Sequence, residues 1–394
     1  MISLLPTEAW EYSVRDVIRA SYAAFRSTKE IHPIEIAGIG PCLPVRSGRV
    51  GILLALKSLD LRQGSRIGVP LYCCPVVFKA ITMAGHIPIF IDTDVRNYCI
   101  STEDLSAKAS KLDALIAVHL FGNMCNMPAI LEIMKEKPVI EDCAQSLGSA
   151  LDGRLSGNFG FISMFSFRSG KYLAAGEGGA LYCHELRLKS KIEELIKTIP
   201  IPSVKSELLH IIGTYARSKL RSKPLWGLLG SKLWKIYNKK VDFISKSPIS
   251  LTEIFASDLQ IINDRMLRLP AMISRQRKNA QYYLDNLRLP KDMFCHEPHG
   301  SYYNRFMFPI KFRSSEQCVF VSDFLLRKNI STSRPYLDVI EGAAKHYGYK
   351  GDCPEAEKLL KSTLIIPVHY RLSNKHLKYI KETINQAWEA IGQA

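Results

Sequence analysis

Long apolar runs and a leader segment are both missing from this sequence. No uninterrupted stretch reaches the roughly 18 apolar residues that a membrane-crossing helix requires, so the sequence predicts no transmembrane segment. Residues 1–16 lack a basic stretch and reach acidic side chains early, and we therefore expect no secretory signal there.

Paired cysteine motifs are also missing. The ten cysteines have no framework spacing, and no pair of CxxC motifs occurs, so the sequence predicts neither a metal site nor a disulfide scaffold. Cys73 and Cys74 are adjacent, and we interpret them as small buried side chains. Free thiols in a chain of this size indicate a reducing, cytoplasmic location.

What the sequence contains is typical of a globular protein. Its 394 residues are 47% hydrophobic, 23% charged and 9% aromatic, which excludes a disordered tail and a collagen-like chain. The 53 Lys and Arg residues against 37 Asp and Glu give a formal charge of +16. This excess indicates an anionic partner such as a nucleic acid, a membrane surface or a phosphorylated ligand.

Short apolar runs alternate with stretches of helical periodicity between residues 66 and 183. This alternation predicts an α/β fold with a mostly parallel sheet covered by helices. The predicted strands are 66–70, 86–92, 113–122, 137–145, 159–167 and 178–183, and the predicted helices are 74–85, 101–111 and 127–136. Ligands of such sheets bind at the carboxyl ends of the strands, where the polar side chains are His119, Asp142 and Gln145.

Two units divide the chain in our prediction. Residues 1–285 form a large domain, and residues 286–394 form a smaller C-terminal α+β domain. Residues 252–288 read as one long helix that Pro270 kinks or splits. In the smaller unit we predict strands at 302–312 and 362–369 and helices at 316–329 and 373–392.

Four segments of the large unit carry the chemistry: RSGRVG (46–51), VHLFGNMCNM (118–127), IEDCAQSLGS (140–149) and MFSFRSGKYLAAGEGGAL (164–181). A lysine amine such as that of Lys171 can form a Schiff base with a carbonyl. A carboxylate nearby, such as Asp142, can hold the proton of a pyridinium ring. Hydroxyl and backbone N–H groups at the start of a helix, as at Ser47 and Gly48, can bind a phosphate.

These segments, with RPY (334–336) and IIPVH (365–369), resemble the pyridoxal-phosphate-dependent nucleotide-sugar aminotransferases of the DegT–StrS type, in the fold-type-I superfamily. The resemblance runs from about residue 44 to the C-terminus. It implies a large seven-stranded mixed domain, a small C-terminal domain and a homodimer with active sites at the interface. It also implies transfer of an amino group, with glutamate as the expected donor, to a keto-sugar nucleotide for polysaccharide or glycoconjugate synthesis.

The resemblance also implies roles for individual residues toward the cofactor, pyridoxal 5'-phosphate. Lys171 would bind it covalently and move protons, Asp142 would pair with the pyridine nitrogen, and Gln145 would contact the ring or its phenolic oxygen. His119 would lie beside the cofactor. The phosphate would be held by Ser166, Ser47, Gly48, Arg49 and Val50.

Each of these residues also has a structural interpretation. Asp142 could cap a helix, Ser166 could pack, Gln145 could cap a loop, His119 could be a hydrogen-bonded core histidine, and Arg49 could face solvent. Two further functions stay open, a pyridoxal-phosphate-dependent sugar dehydratase and a non-catalytic regulatory protein on the same fold. Dehydratases of this type typically lack the lysine that is present here as Lys171.

The sequence departs from the family pattern at three places. Arg49 stands where a threonine is usual, and Cys74 stands where an aromatic residue commonly stacks on the cofactor, with Tyr72 as a substitute. Pro248 and Ser250 stand where an Asn and an Arg usually reach the partner subunit's cofactor.

A basic insertion at residues 205–240 contains nine Lys or Arg, one Glu and two tryptophans, Trp226 and Trp234. One interpretation is a solvated insertion packed on the large domain. Another is a peripheral membrane contact, because basic residues with Trp and Leu at helical spacing suit an anionic lipid surface. The insertion has no known nucleic-acid motif, so we do not expect nucleic-acid binding.

Overall fold

The computed structural model describes residues 4–8, 10–26, 32–220 and 249–392. The predicted α/β class is confirmed by an eight-stranded sheet in this part of the chain, with the strand order β1-β2-β10-β9-β6-β5-β3-β4. Its strands are β1 (Ile34–Ile36), β2 (Gly40–Val45), β3 (Arg66–Pro70), β4 (Ile87–Ile91), β5 (Ala114–Val118), β6 (Val139–Asp142), β9 (Ile162–Ser166) and β10 (Gly179–Cys183).

The sheet is mixed but mostly parallel. Strands β4, β3, β5, β6 and β9 run parallel, and β10, β2 and β1 join through antiparallel pairs. The three-residue β1 at the edge makes this sheet one strand larger than the seven strands that the resemblance implies. All five residues of β5 are buried, as expected for a parallel strand with helices on both faces.

Helices cover both faces of the sheet. One face packs against α2 (Gly48–Ser58), α3 (Val76–Met83) and α6 (Leu186–Lys197). The opposite face packs against the remaining helices of this unit, which are α1 (Val14–Arg26), α4 (Thr102–Lys108), α5 (Met127–Met134), α7 (Val204–Leu220), α8 (Ala256–Met266) and the start of α9 (Leu269–Asn286). Because side chains alternate along β9, Met164 belongs to the first core and Phe165 to the second.

Local signals in the sequence explain several boundaries. Ser101 caps α4 by accepting from Asp104 N, which confirms the predicted helix start. The predicted long helix at 252–288 is two helices, α8 and α9, and Pro270 lies in the first turn of α9. A proline is tolerated there because its missing N–H has no partner in the helix.

The C-terminal part contains the antiparallel pair β12 (Phe308–Lys311) and β13 (Thr363–Ile366). Around it lie α10 (Ser315–Arg327), α11 (Val339–Tyr347), α12 (Pro354–Ser362) and α13 (Asn374–Gly392). Three two-residue strands, β7 (Ala150–Leu151), β8 (Arg154–Leu155) and β11 (Ser301–Tyr302), form a separate small sheet. The predicted strand at 302–312 is therefore shorter than expected.

Two segments connect the parts of the molecule. Helix α9 places Ile273 in the core of the large unit and Tyr283 in the core of the C-terminal unit. The N-terminal Leu5 also packs in the C-terminal core, where its N–H donates to Asn329 O at 2.8 Å. The domain boundary at residue 285 stays a prediction.

Among the described residues, no helix combines the length and the apolar character that crossing a bilayer would require. All ten cysteines are free, and nine are buried, with Cys74 half-buried.

Candidate active site

The carboxyl ends of three adjacent parallel strands bring the predicted site residues together. Asp142 at the end of β6 lies opposite Val118 of β5 and Met164 of β9. His119 N donates to Asp142 O at 3.1 Å, and Cys143 N donates to Met164 O at 2.8 Å. The backbone ladder thus aligns these ends at one edge of the sheet, where α/β proteins bind ligands.

Asp142 is a buried carboxyl group, 5% exposed. Its Oδ1 accepts from Ala144 N at 2.9 Å in a turn, and no helix follows for Asp142 to cap. Burial raises the pKa of Asp142, and the Ala144 N–H and the charge of Lys171 oppose that increase. A carboxyl group of raised pKa close to a lysine suits a partner for a protonated ring nitrogen.

Lys171 lies in the turn after β9, which Lys171 N closes by donating to Arg168 O at 3.0 Å. Its half-buried side chain places Nζ 4.7 Å from the centroid of the Phe306 ring. Burial, followed by the charge of Arg168, lowers the pKa of Lys171 to about 8, although Asp142, Cys74 and Glu8 act in the opposite direction. A lysine with this pKa is partly neutral near pH 8 and can act as a nucleophile.

The preceding residue, Gly170, is required by this geometry. Its φ is +94°, and a Cβ there would lie 2.7 Å from Glu8 Oε2. The N-terminal segment therefore approaches the backbone beside Lys171. Glu8, Lys171 and Phe306 line a small cavity of about 30 Å³ at this place.

The start of α2 lies against the end of β9. Ser47 is the N-cap of α2, and its Oγ accepts from Val50 N at 3.4 Å. A Cβ on Gly48 would lie 2.8 Å from Met164 Sδ and 3.2 Å from Ser166 Cβ. Only a glycine lets the helix start approach the strand this closely, and the approach brings Ser47, Gly48 and Ser166 together.

Two cations lie near this helix start. Arg49 is half-buried in the first turn of α2. Burial and the charge of Arg49 lower the pKa of Lys79, which places two like charges near each other. A bound anion would relieve their repulsion, and the helix N-terminus favours the same ligand. The glycine contact, the helix start and these cations fit the phosphate of pyridoxal 5'-phosphate.

Gln145 contacts other residues of the same region. Its Oε1 accepts from Phe121 N at 2.9 Å, and its Nε2 donates to the Tyr336 hydroxyl at 3.2 Å. Contact of Gln145 with the cofactor ring stays a prediction.

His119 is 0% exposed and bonds within the core, and its place beside the cofactor stays a prediction. Nε2 lies 2.9 Å from Glu141 Oε2, and Nδ1 accepts from Cys125 N at 3.1 Å. With both ring nitrogens engaged, His119 is the hydrogen-bonded core histidine of the alternative interpretation.

Glu141, His119 and Cys143 place one possible ligand atom each within 4.8 Å of one another. Hydrogen bonds account for this buried cluster, because the Glu141 carboxylate accepts from the backbone N–H groups of Gly157 and Gly160 at 2.9 and 2.7 Å. We therefore interpret the cluster as a core network that supports β6.

Tyr336, from the RPY motif, is a site residue to which the sequence assigned no role. It holds the hydroxyl that accepts from Gln145, and its φ of +62° is unusual for a tyrosine. Burial raises its pKa strongly, and Cys74 adds to that effect while the charge of Arg168 opposes it. Tyr336 and Arg168 therefore both lie near Cys74. In the sequence, only the RPY motif indicated that this tyrosine belongs to the site.

Tyr72 packs among other aromatic rings, and its role as a substitute for the missing aromatic residue stays a prediction. It is 1% exposed and packs edge-on against two rings. Its ring centroid lies 5.8 Å from that of Phe121 and 6.4 Å from that of Tyr336. Cys74 is half-buried, and the charges of Arg168 and Lys171 partly offset the effect of burial, which raises its pKa. The predicted departure at Pro248 lies outside the described residues, whereas Ser250 is exposed.

The sequence is similar to those of known aminotransferases. The model of the DegT/DnrJ/EryC1/StrS aminotransferase family matches residues 34–385. GDP-perosamine synthase of Escherichia coli O157:H7 is 28% identical over 346 residues, covering 87% of this chain and 84% of the relative. A UDP-N-acetyl-3-dehydro-alpha-D-glucosamine 3-aminotransferase of Acidithiobacillus ferrooxidans is 33% identical over 164 residues, 41% of this chain and 44% of the relative.

Solved structures match the fold over nearly the whole chain. The aminotransferase from Psychrobacter cryohalolentis superposes with a TM-score of 0.76 at 18% identity, covering 98% of this chain and 100% of that one. The sugar aminotransferase CalS13 from Micromonospora echinospora gives a TM-score of 0.73 at 20% identity, covering 98% and 100%. At this identity the likeness shows the fold alone.

Proposed function

Because the chain belongs to the DegT/DnrJ/EryC1/StrS aminotransferase family, whose members depend on pyridoxal 5'-phosphate, we propose that this aminotransferase acts on a nucleotide-linked keto-sugar. The amino group would come from an amino acid, with glutamate as the expected donor, and the product would serve polysaccharide or glycoconjugate synthesis. The observation that carries the proposal is Lys171, whose pKa is lowered to about 8 at the sheet edge that also carries Asp142.

The residues would divide the work as follows. When bound, pyridoxal phosphate supplies an electron sink for the carbon that carries the amino group. Asp142 would hold the proton on the ring nitrogen, and its burial next to Lys171 supports that role. Lys171 would accept and return the proton that is exchanged at the substrate carbon.

The start of α2 would hold the cofactor's phosphate. Ser47, Gly48, Val50 and Ser166 provide hydroxyl and backbone groups, and Arg49 adds charge at the same place. Gln145 would act through Tyr336 as a positioning residue, because its amide joins the tyrosine hydroxyl to the Phe121 backbone.

The relatives support the proposed acceptor. Two are named for amino sugars attached to GDP or UDP, and a third, from Streptomyces lividus, is named for L-glutamine as the donor. A diphosphate acceptor also suits a chain of charge +16.

We further propose a cytoplasmic homodimer with a peripheral membrane contact through 205–240. Residues 221–240 of that insertion lie outside the described residues, and residues 205–220 form all of α7 except its first residue.

Absorbance spectroscopy tests the proposed function. Purified protein with added pyridoxal phosphate should develop the visible band of a lysine-bound cofactor, and Lys171→Ala should not. The band should bleach with glutamate and return with a nucleotide-linked keto-sugar, and glutamine serves as the alternative donor. A missing band would favour the regulatory alternative that the departures at Cys74 and Pro248 motivate. If the band bleaches with the amino donor but none of the nucleotide-linked keto-sugars tested restores it, the proposed acceptor class is refuted.

A further inference from the structure

Two helices on the outside of the large unit expose apolar side chains at helical spacing. On α1 these follow one another at intervals of four, four and three residues, and α7 adds two more at an interval of three. Together we call them the α1–α7 face: Val14, Ile18, Tyr22, Phe25, Leu209 and Ile212. Ile18 is 65% exposed and Phe25 is 70% exposed, which is unusual for side chains of this size.

Helices α1 and α7 pack against the same core, and the exposed apolar side chains lie on the outer side of each helix. Ala20 and Ala24 of α1 and Ile211 of α7 are buried in the same cluster. Tyr12 N, just before α1, donates to Ser218 Oγ near the end of α7 at 2.8 Å, so the helices are neighbours. Because their inner sides share a core, the exposed sides face away from it together.

The exposed charges that α1 and α7 themselves carry have one sign. Within Val14–Arg26 and Val204–Leu220 the two acidic residues point inward: Asp16 pairs with Arg265 at 3.0 Å, and Glu207 is buried and accepts from Ser257 N at 2.6 Å. The exposed charged residues of the same two helices are basic: Arg15, Arg19, Arg26, Lys205 and Arg217. Of these, Arg19 is paired with Asp264, Arg217 donates to Thr214 Oγ1 at 3.0 Å, and Arg26 lies over the Tyr22 ring.

We propose that the α1–α7 face binds the surface of a membrane that contains anionic phospholipid. Apolar side chains beside exposed arginine and lysine are the pattern by which a helix lies in the interface of a charged bilayer. A second copy of the chain fits less well, because a two-fold interface would bring the same arginines together. The adjoining segment 221–248 carries seven Lys or Arg against one Asp, so it would meet the same repulsion.

The proposal is independent of the aminotransferase function, and its test measures vesicle binding of the whole chain. The protein is sedimented with sucrose-loaded vesicles of phosphatidylcholine alone or with phosphatidylglycerol. We expect binding to the anionic vesicles only, weakening as salt rises. The variant Arg15→Gln/Arg26→Gln/Lys205→Gln should lower the partition coefficient by about a hundredfold, since each basic residue contributes a factor of about five.

A second variant, Ile18→Ser/Phe25→Ser, removes apolar contact without changing charge, and it should also weaken binding. Matched controls change exposed residues elsewhere, Lys57→Gln/Lys111→Gln/Lys358→Gln for charge and Leu186→Ser/Phe320→Ser for apolar area. These controls should keep the wild-type binding. Thermal unfolding and the cofactor band confirm that every variant is folded.

Four results would overturn the proposal. The first is no binding of the wild type to anionic vesicles. The second is unchanged binding in both α1–α7 variants, which would assign any lipid contact to residues 221–248. The third is a switch from dimer to monomer in Ile18→Ser/Phe25→Ser with vesicle binding intact, which would make the face a contact between copies. The fourth is a loss of thermal stability alone, which would mean that the chain itself covers the face.

Discussion

The lowered pKa of Lys171 leads to a measurable prediction for the cofactor-free enzyme. An ordinary lysine has a pKa of 10.5, whereas burial and Arg168 lower that of Lys171 to about 8. At pH 7.5 this difference raises the neutral fraction from about one amine in a thousand to about one in four, a gain of about 250-fold. Only the neutral amine attacks a carbonyl, so the rate of covalent cofactor binding should rise with pH and level off above about 8.

Two substitutions should move this midpoint in opposite directions. The charge of Arg168 disfavours the protonated amine, so Arg168→Gln should raise the pKa of Lys171 and shift the rate profile to higher pH. Glu8 favours the protonated amine, so Glu8→Gln should shift the profile to lower pH. Arg187→Gln is a matched control, because this exposed arginine lies on α6 and is not among the groups that act on Lys171.

Stopped-flow absorbance at a series of pH values measures the rate for each variant, and circular dichroism verifies that each variant is folded. A wild-type midpoint close to 10.5 would refute the argument from burial. Midpoints that move in the same direction for Arg168→Gln and Glu8→Gln would refute the electrostatic argument, even if the wild-type value were right.

Three further substitutions test the other parts of the site. Asp142→Asn should keep the fold and lower kcat by about 100- to 1,000-fold in steady-state assays, because a neutral amide cannot stabilise a protonated ring nitrogen. Gly48→Ala should cost about 1–3 kcal/mol in urea unfolding, since its Cβ would lie 2.8 Å from Met164 Sδ, and it should weaken cofactor binding in titrations. His119→Gln should cost about 1–3 kcal/mol of stability by disturbing one hydrogen bond of buried Glu141, which keeps its backbone donors, and the folded protein should still form the cofactor band. A stable His119→Gln protein without the band would restore His119 to the cofactor site.

The sequence predicted the sheet well because each of its elements is defined locally. Residues 66–183 alternate between buried strands and short helices, and the six strands that this segment gives to the large sheet lie within the predicted ranges, whereas the two-residue strands β7 and β8 were not predicted. The same local rules placed Asp142 at the carboxyl edge of the sheet. His119 was predicted in position but not in contacts, because a histidine at a strand end can point to the ligand or to the core.

The contacts that complete the site come from distant parts of the chain. Gln145 and Tyr336 are 191 residues apart, and no periodicity in either segment indicates that they meet. Glu8 reaches Gly170 because the N-terminal segment pairs with the strand-like residues around Ile330. Such pairings depend on how the C-terminal unit packs, which a local pattern does not encode.

One departure from the family pattern, Arg49, adds to a group of cations around the site. Arg49 adds a cation at the start of α2, where it already lowers the pKa of Lys79. Arg168 adds another beside Lys171 and Cys74. Like charges that are held close together cost free energy until an anion binds between them. The site should therefore gain more from a bound phosphate than a site without these cations, and phosphate alone should raise the thermal midpoint of the cofactor-free protein. Arg49→Thr, which restores the usual family residue, should reduce that increase, and an unchanged increase would show that Arg49 points away from the anion.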